Sequence, residues 1–222
     1  FKNAVDDLFV NGIDRGIGIG IEGFDELLRF VPGYITLITG YPNHGKSDWL
    51  DEMCTRLMVN HGWKGAYYSP ENFPIELHLT KIARKVIGKN WYGKEKMNDL
   101  EKNLFMEYIE GKMWFISPEK DFTIESILKT VKGLKLAYGI KYFCVDAWNR
   151  LEHKYQSTDS VKYINESLVK IDNFCKDNML HCFLVAHPAR PEEKQKTGAL
   201  PIPTMYSVSG GAQFNNIIAN GI

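Results

Sequence analysis

Five short runs, apolar at nearly every position, punctuate the chain: YITLITG at 34 to 40, GAYYS at 65 to 69, MWFIS at 113 to 117, KYFCVD at 141 to 146 and CFLVAH at 182 to 187. Runs that do not alternate with polar residues predict strands buried on both faces. Between them the apolar positions change to helical spacing. Trp49, Leu50, Met53 and Leu57 follow one another on one face, as do Ile124, Ile127, Leu128 and Val131, and then Val161, Ile164, Leu168 and Ile171. Strand and helix alternating at this cadence predict an α/β fold with a mostly parallel central sheet and helices on both faces. Residues 188–207 carry four prolines and no period, which predicts a long surface loop of the kind that is usually functional or disordered. No internal repeat or low-complexity tract interrupts this order.

Length and composition narrow the classes. At 222 residues and 44% apolar composition, the chain can bury one sizeable core, hiding on the order of 70% of its unfolded surface. One domain over residues 1–222 is the expectation. Lys plus Arg and Asp plus Glu balance at 27 each, so no global field draws in nucleic acid or an anionic membrane, and any such contact must be local. Cys54, Cys144, Cys175 and Cys182 form no CxxC pair and lie in apolar stretches. They read as buried reduced thiols, which fits a reducing cytoplasm. No apolar run reaches the ~20 residues of a membrane span. Phe1 is not an initiator, and the ending ANGI is abrupt, so the expectation is a piece of a longer protein.

The chemistry concentrates at residues 40–47, GYPNHGKS, which match GxxxxGK[ST] after an apolar run and before an amphipathic one. Glycines at 40 and 45 let backbone amides turn toward phosphate oxygens, and the helix that follows presents its unpaired amides to the same anion. The loop residues Gly40, Tyr41, Pro42, Asn43, His44, Gly45, Lys46 and Ser47 are therefore the expected nucleotide cradle. In it Lys46 would bridge the β and γ phosphates, and the Ser47 hydroxyl would ligate Mg2+. A second glycine pattern, GIGIEG at 18 to 23, formally fits GxGxxG. No apolar strand precedes it and too few residues follow it for a crossover unit, so it reads as a turn before FDELLRF.

Ligands of open parallel sheets sit beyond the carboxyl ends of the strands, so the polar residues ending the other apolar runs are the remaining candidates. Asp146 ends KYFCVD and is the expected second Mg2+ anchor. Glu71 follows GAYYS and could align and deprotonate an attacking water. His187 ends CFLVAH and could hydrogen-bond a γ phosphate and register its loss.

Taken together, GYITLITGYPNHGKSDWL, YYSPEN, KYFCVDAWN, LVAHPAR and YSVSGGAQFNNIIANGI resemble the RecA-like motor domain of DnaB-type replicative helicases, in the branch of the phage primase-helicases and Twinkle. The likeness runs from about Gly12 to Ile222. It implies a RecA-like P-loop NTPase that hydrolyses ATP or another NTP with Mg2+, assembles as a homo-oligomeric ring expected to be hexameric, and moves on single-stranded DNA during replication. On that pattern Lys46 and Ser47 fall on the phosphate loop, Glu71 on the catalytic glutamate, Asp146 on the Mg2+ aspartate and His187 on the phosphate sensor. The family's DNA-binding loops match the segments after Asp146 and after His187, which makes Arg190, Lys194 and Lys196 candidates for phosphate-backbone contact.

Two positions depart from the pattern. The family commonly has an aspartate where this chain has Ala219, and the arginine finger that such motors supply in trans would lie beyond Ile222. The phosphate loop alone leaves other classes open: a RecA-like recombination ATPase, a helicase loader or regulatory nucleotide-gated module, and, less well matched, a small-molecule kinase with an arginine-rich lid.

Overall fold

The computed structural model describes residues 2–13, 15–117, 121–153, 160–189 and 200–222. In chain order its elements are α1 (Lys2–Asn11), α2 (Phe24–Leu27), β1 (Ile35–Thr39), α3 (Lys46–His61), β2 (Gly65–Tyr68), α4 (Ile75–Ile87), α5 (Asp99–Ile109), β3 (Met113–Phe115), α6 (Ile124–Tyr138), β4 (Tyr142–Asp146), α7 (Ser160–Asn178), β5 (His181–Ala186), α8 (Gly211–Ile217) and β6 (Asn220–Gly221). All five predicted strands form, within a residue or two of the runs that announce them. The sixth, β6, is built by the ANGI segment, which carries no apolar signal and pairs as an edge strand beside β1.

The sheet runs β3-β2-β4-β5-β1-β6, and its pairs are parallel. Alternate side chains enter two cores. Ile35, Leu37, Phe143, Val145, Cys182 and Leu184 point to one face, where α6, α7 and α8 cover them. Ile38, Tyr142, Cys144, Phe183 and Val185 point to the other, where α3, α4 and α5 lie. A strand covered on both sides cannot alternate with polar residues, which is why these strands read as continuous apolar runs. Tyr142 lies over its paired residue on the adjacent strand, Gly65, where a Cβ would fall 2.1 Å from its ring.

Local signals end and begin the helices. α3, α4 and α6 each stop at a left-handed glycine, Gly62, Gly88 and Gly139, the conformation that lets the last turn close on its own carbonyls. Asn98 and Glu101 cap α5 reciprocally, and Thr123 caps α6. The short stretch after GIGIEG is the helix α2. Asp25 of α2 accepts hydrogen bonds from the amides of Ile19 and Gly20, both at 2.7 Å. The glycine pattern is thus closed on a carboxylate of its own chain, as the turn reading expects. Of the predicted long loop, Pro188, Ala189 and 200–207 are described, with a short 3-10 turn at Met205–Ser207.

The free thiols Cys54, Cys144, Cys175 and Cys182 are all buried. Among the described residues no helix is long and apolar enough to cross a membrane.

One buried polar group ties the strands to the segment before β1. His181 opens β5, and its Nδ1 lies 2.8 Å from the Val31 carbonyl while Nε2 lies 3.0 Å from the Thr36 hydroxyl. A carbonyl can only accept, so neutral His181 carries its proton on Nδ1 and its Nε2 accepts from Thr36. Burial holds the imidazole's pKa down to about 4, against the opposing pull of the Val31 carbonyl. The unfolded chain therefore binds a proton at His181 between about pH 6.5 and 4 that the folded chain does not, so stability falls as pH falls through that window. This contribution reaches roughly 3 kcal/mol at its limit. Urea midpoints measured from pH 7 to 4 are expected to decline, and His181→Gln is expected to flatten that decline. An equal slope in both proteins would refute the assignment.

Candidate functional site

The strand order decides what meets what. β2, β4, β5 and β1 are neighbours and parallel, with Tyr68 level with Val145, Asp146 with Val185, and Ala186 with Thr39. Their carboxyl ends therefore reach one rim together. Glu71, Asp146, His187 and the loop 40–45 leave the sheet at that rim, and they line one open cleft of about 830 Å3 or lie directly beneath its floor. Of the residues singled out from sequence, Pro42, Asn43, Gly45, Lys46, Ser47, Glu71 and His187 line the cleft, while Gly40, Tyr41, His44 and Asp146 are not in its lining. Arg190, Lys194 and Lys196 lie outside the described residues.

The loop has the backbone that its composition predicts. Gly45 is left-handed at φ 79° directly before α3, and Asn43 takes φ 65°. Asparagine is among the few residues other than glycine that enter this region readily. Tyr41 packs edge-on to His44, and its hydroxyl donates to the Pro201 carbonyl at 3.1 Å. The loop is thereby tied to the segment that follows β5.

Lys46 begins α3 and is buried, with Nζ donating to the Tyr41 carbonyl at 3.0 Å. Burial lowers its pKa, while the charges of Glu71 and Asp146 work in the opposite direction. One ammonium and two carboxylates thus feel each other across the cleft, an arrangement suited to a polyanion with a divalent cation.

Asp146 is buried at the end of β4. Burial raises its pKa, the hydroxyls of Ser47 and Ser69 favour its ionised form, and Asp51 and Glu71 oppose it. Its Oδ2 accepts from Ser69 Oγ at 2.9 Å and from Asn72 Nδ2 at 3.2 Å. Its Oδ1 is buried and, among the described residues, accepts no hydrogen bond. An unpartnered buried carboxylate oxygen beside a serine hydroxyl fits a hard cation that takes oxygen donors and keeps several waters. Ser47 and Asp146 are the residues that could hold Mg2+.

Glu71 lies three residues past β2 with 28% of its side-chain surface exposed. Its Oε1 accepts from Arg150 Nε at 3.0 Å and sits 3.5 Å from His187 Nε2. Burial pushes the carboxyl pKa up, but the Arg150 hydrogen bond and the His187 imidazole outweigh it, and the net shift is downward. The backbone amide of His187 donates to Asn149 Oδ1 at 3.0 Å. His187, the turn after β4 and Glu71 are therefore joined by direct contacts.

Sequence reasoning missed Ser69, Asn72, Lys81, Asn149 and Arg150. Arg150 belongs to none of the motifs read from the sequence. The 3-10 turn Trp148–Arg150 after β4 carries it to Glu71, 79 residues away in sequence. The signal that could have found Ser69 and Asn72 is their adjacency to Glu71 in YYSPEN, since short polar residues at the end of a buried strand have only the rim to face.

Comparison with known proteins extends this. No protein-family profile matches the chain. A Twinkle homolog protein, chloroplastic/mitochondrial, of Arabidopsis thaliana is 33% identical over 236 residues, which cover 100% of this chain and 33% of that protein. The chain thus spans about a third of the length of the curated relative it matches. Among solved structures, the ATPase domain of G40P superposes with a TM-score of 0.78 over 98% of this chain and 80% of that one, at 12% identity, a likeness of fold alone. The chain is thus similar along its whole length to part of a Twinkle homolog and shares the fold of a solved ATPase domain.

Proposed function

We propose that this chain is the motor domain of a replicative DNA helicase, hydrolysing ATP or another NTP with Mg2+ and translocating on single-stranded DNA. The observation that carries this reading is the convergence, at one rim, of the phosphate loop with Asp146, Glu71 and His187. A phosphate loop alone would serve a kinase or a switch equally well. The acid pair, one buried beside Ser47 and one poised in the open cleft, is what hydrolysis requires.

The residues divide the work as follows. Loop amides from 40–45 and the Lys46 ammonium hold the β and γ phosphates. Ser47 and Asp146 hold Mg2+, which when bound neutralises charge on the phosphoryl oxygens. Glu71 aligns the attacking water and accepts its proton. Since Oε1 of Glu71 is engaged by Arg150, the carboxylate is kept ionised and oriented before substrate arrives. His187, 3.5 Å from Glu71 in the same cleft, would register phosphate loss and pass it to the segment after β5. That segment includes Arg190, Lys194 and Lys196, which on this reading contact the DNA backbone, and it is tied to the phosphate loop through Tyr41 and Pro201.

Assembly into a ring, expected to be hexameric, belongs to the same proposal. The cleft is open to solvent on the side of Glu71, where a neighbouring subunit could supply an arginine to the developing charge. This chain is one such ATPase domain within a longer protein, as its coverage of about a third of its relative suggests. The alternative is a RecA-like ATPase that loads helicases, recombines DNA or gates assembly without unwinding. Single-stranded DNA discriminates: it is expected to stimulate turnover of a motor and to leave a gated module unchanged.

Two substitutions test the assignment. Glu71→Gln should keep ATP affinity and lower turnover by a factor on the order of a hundred or more, measured by equilibrium binding and phosphate release. Unchanged turnover would remove Glu71 from the role. Arg150→Gln should raise the Glu71 pKa, because the guanidinium is the leading influence holding it down. The acid limb of the turnover profile is then expected to move to higher pH, since the base must be ionised to act. A limb that stays in place would separate Arg150 from Glu71 in solution.

A further inference from the structure

Asn72 lies one residue beyond Glu71, is 9% exposed, and makes three side-chain hydrogen bonds. Its Nδ2 donates to Ser69 Oγ at 2.9 Å and to Asp146 Oδ2 at 3.2 Å, while its Oδ1 accepts from Lys81 Nζ at 2.8 Å. Ser69 in turn donates to the same Asp146 oxygen at 2.9 Å. Asn72, Ser69 and Asp146 therefore close a small ring, and Lys81 reaches it from the second turn of α4.

The direction of each bond is set by chemistry. An ammonium can only donate, so the face of the Asn72 amide toward Lys81 must be its oxygen. The NH2 is thereby forced toward Asp146. Two donors then occupy Oδ2, and the carboxylate can swing only by breaking them. What remains is Oδ1, buried and without a hydrogen-bond partner among the described residues, on a carboxylate whose ionised form the Ser47 hydroxyl also favours.

We infer that Asn72, locked by Lys81, is a positioning residue for Mg2+ in this cleft: it fixes the Asp146 carboxylate so that one oxygen is saturated by protein and the other is presented to the ion. The inference rests on the nucleotide reading proposed above. Lys81 lines the same cleft, and its charge could be taken for a direct phosphate contact. Its hydrogen bond to Asn72 gives it the different task of holding the amide. Partners of this kind, which orient a metal ligand without touching the metal, typically change metal affinity by 10- to 100-fold when removed.

The experiment measures ATP affinity of the chain by calorimetry, first in excess chelator and then across a Mg2+ titration. Asn72→Leu is expected to leave chelator-state affinity within about twofold while raising the Mg2+ concentration for half-maximal tightening by about tenfold. Lys81→Met, at an exposed position that threatens folding little, is expected to shift the Mg2+ requirement the same way by less. The double variant is expected to behave as Asn72→Leu alone, because both act through one amide. An unchanged Mg2+ requirement in Asn72→Leu overturns the inference. So does a loss of affinity by Lys81→Met that is equally large in chelator, since that marks a direct phosphate contact. Lys46→Ala serves as the separate control: if it binds ATP as tightly as the unsubstituted chain, the nucleotide reading itself falls, whatever Asn72 does.

Discussion

Everything the site does depends on four neighbouring strands running the same way in register. Parallel hydrogen bonding between β2, β4, β5 and β1 ends the four strands, at Tyr68, Asp146, Ala186 and Thr39, along one edge, staggered by a residue or two. Each chain leaving that edge must turn at the same rim. A functional group placed just past the end of any of these strands then shares a cleft with the others, however far apart in sequence. The covering helices enforce this arrangement. With apolar side chains demanded on both faces, polar residues of these strands collect where the sheet stops, the buried and mutually bonded Thr36 and His181 apart.

The rim is electrostatically tense, and the protein handles each charge differently. Lys46 is buried against two carboxylates. Asp146 is buried more deeply and is kept in place by neutral donors rather than by a cation, which leaves its charge available to an ion. Glu71 is more open and is held by a guanidinium and an imidazole. Two acids a short way apart thereby acquire opposite tendencies, Asp146 raised by burial and Glu71 lowered by its partners. Divergence of this kind is what separates a metal anchor from a base in one pocket.

A further buried polar contact links the elements that carry these groups. His78 Nε2 donates to Asp51 Oδ1 at 2.8 Å, with both side chains almost wholly buried. It fastens α4, which follows Glu71, to α3, which follows the phosphate loop. Removing one partner of such a pair would leave the other uncompensated in a dry environment. The spacing between phosphate loop and Glu71 is thereby held by a directional bond and not by packing alone.

The sequence by itself determined the strands, the phosphate loop and the identity of the principal polar groups. Each of those signals is local: an apolar run, a glycine spacing, an acid at the end of a run. Residues such as Asp146 were legible because burial of a strand leaves its terminal carboxylate conspicuous. The edge strand β6 was not, since two residues of Asn and Gly pair through backbone alone and leave no side-chain pattern. Only the tertiary structure decided that β5 lies between β4 and β1, which brings His187 to Glu71, and that the turn after β4 swings Arg150 onto the same carboxylate. It alone showed that Lys81 orients Asn72 and so fixes Asp146. Contacts between residues tens of positions apart depend on strand order and helix placement, and those are set by how the two cores close around the sheet, a property of the whole chain that no local spacing encodes.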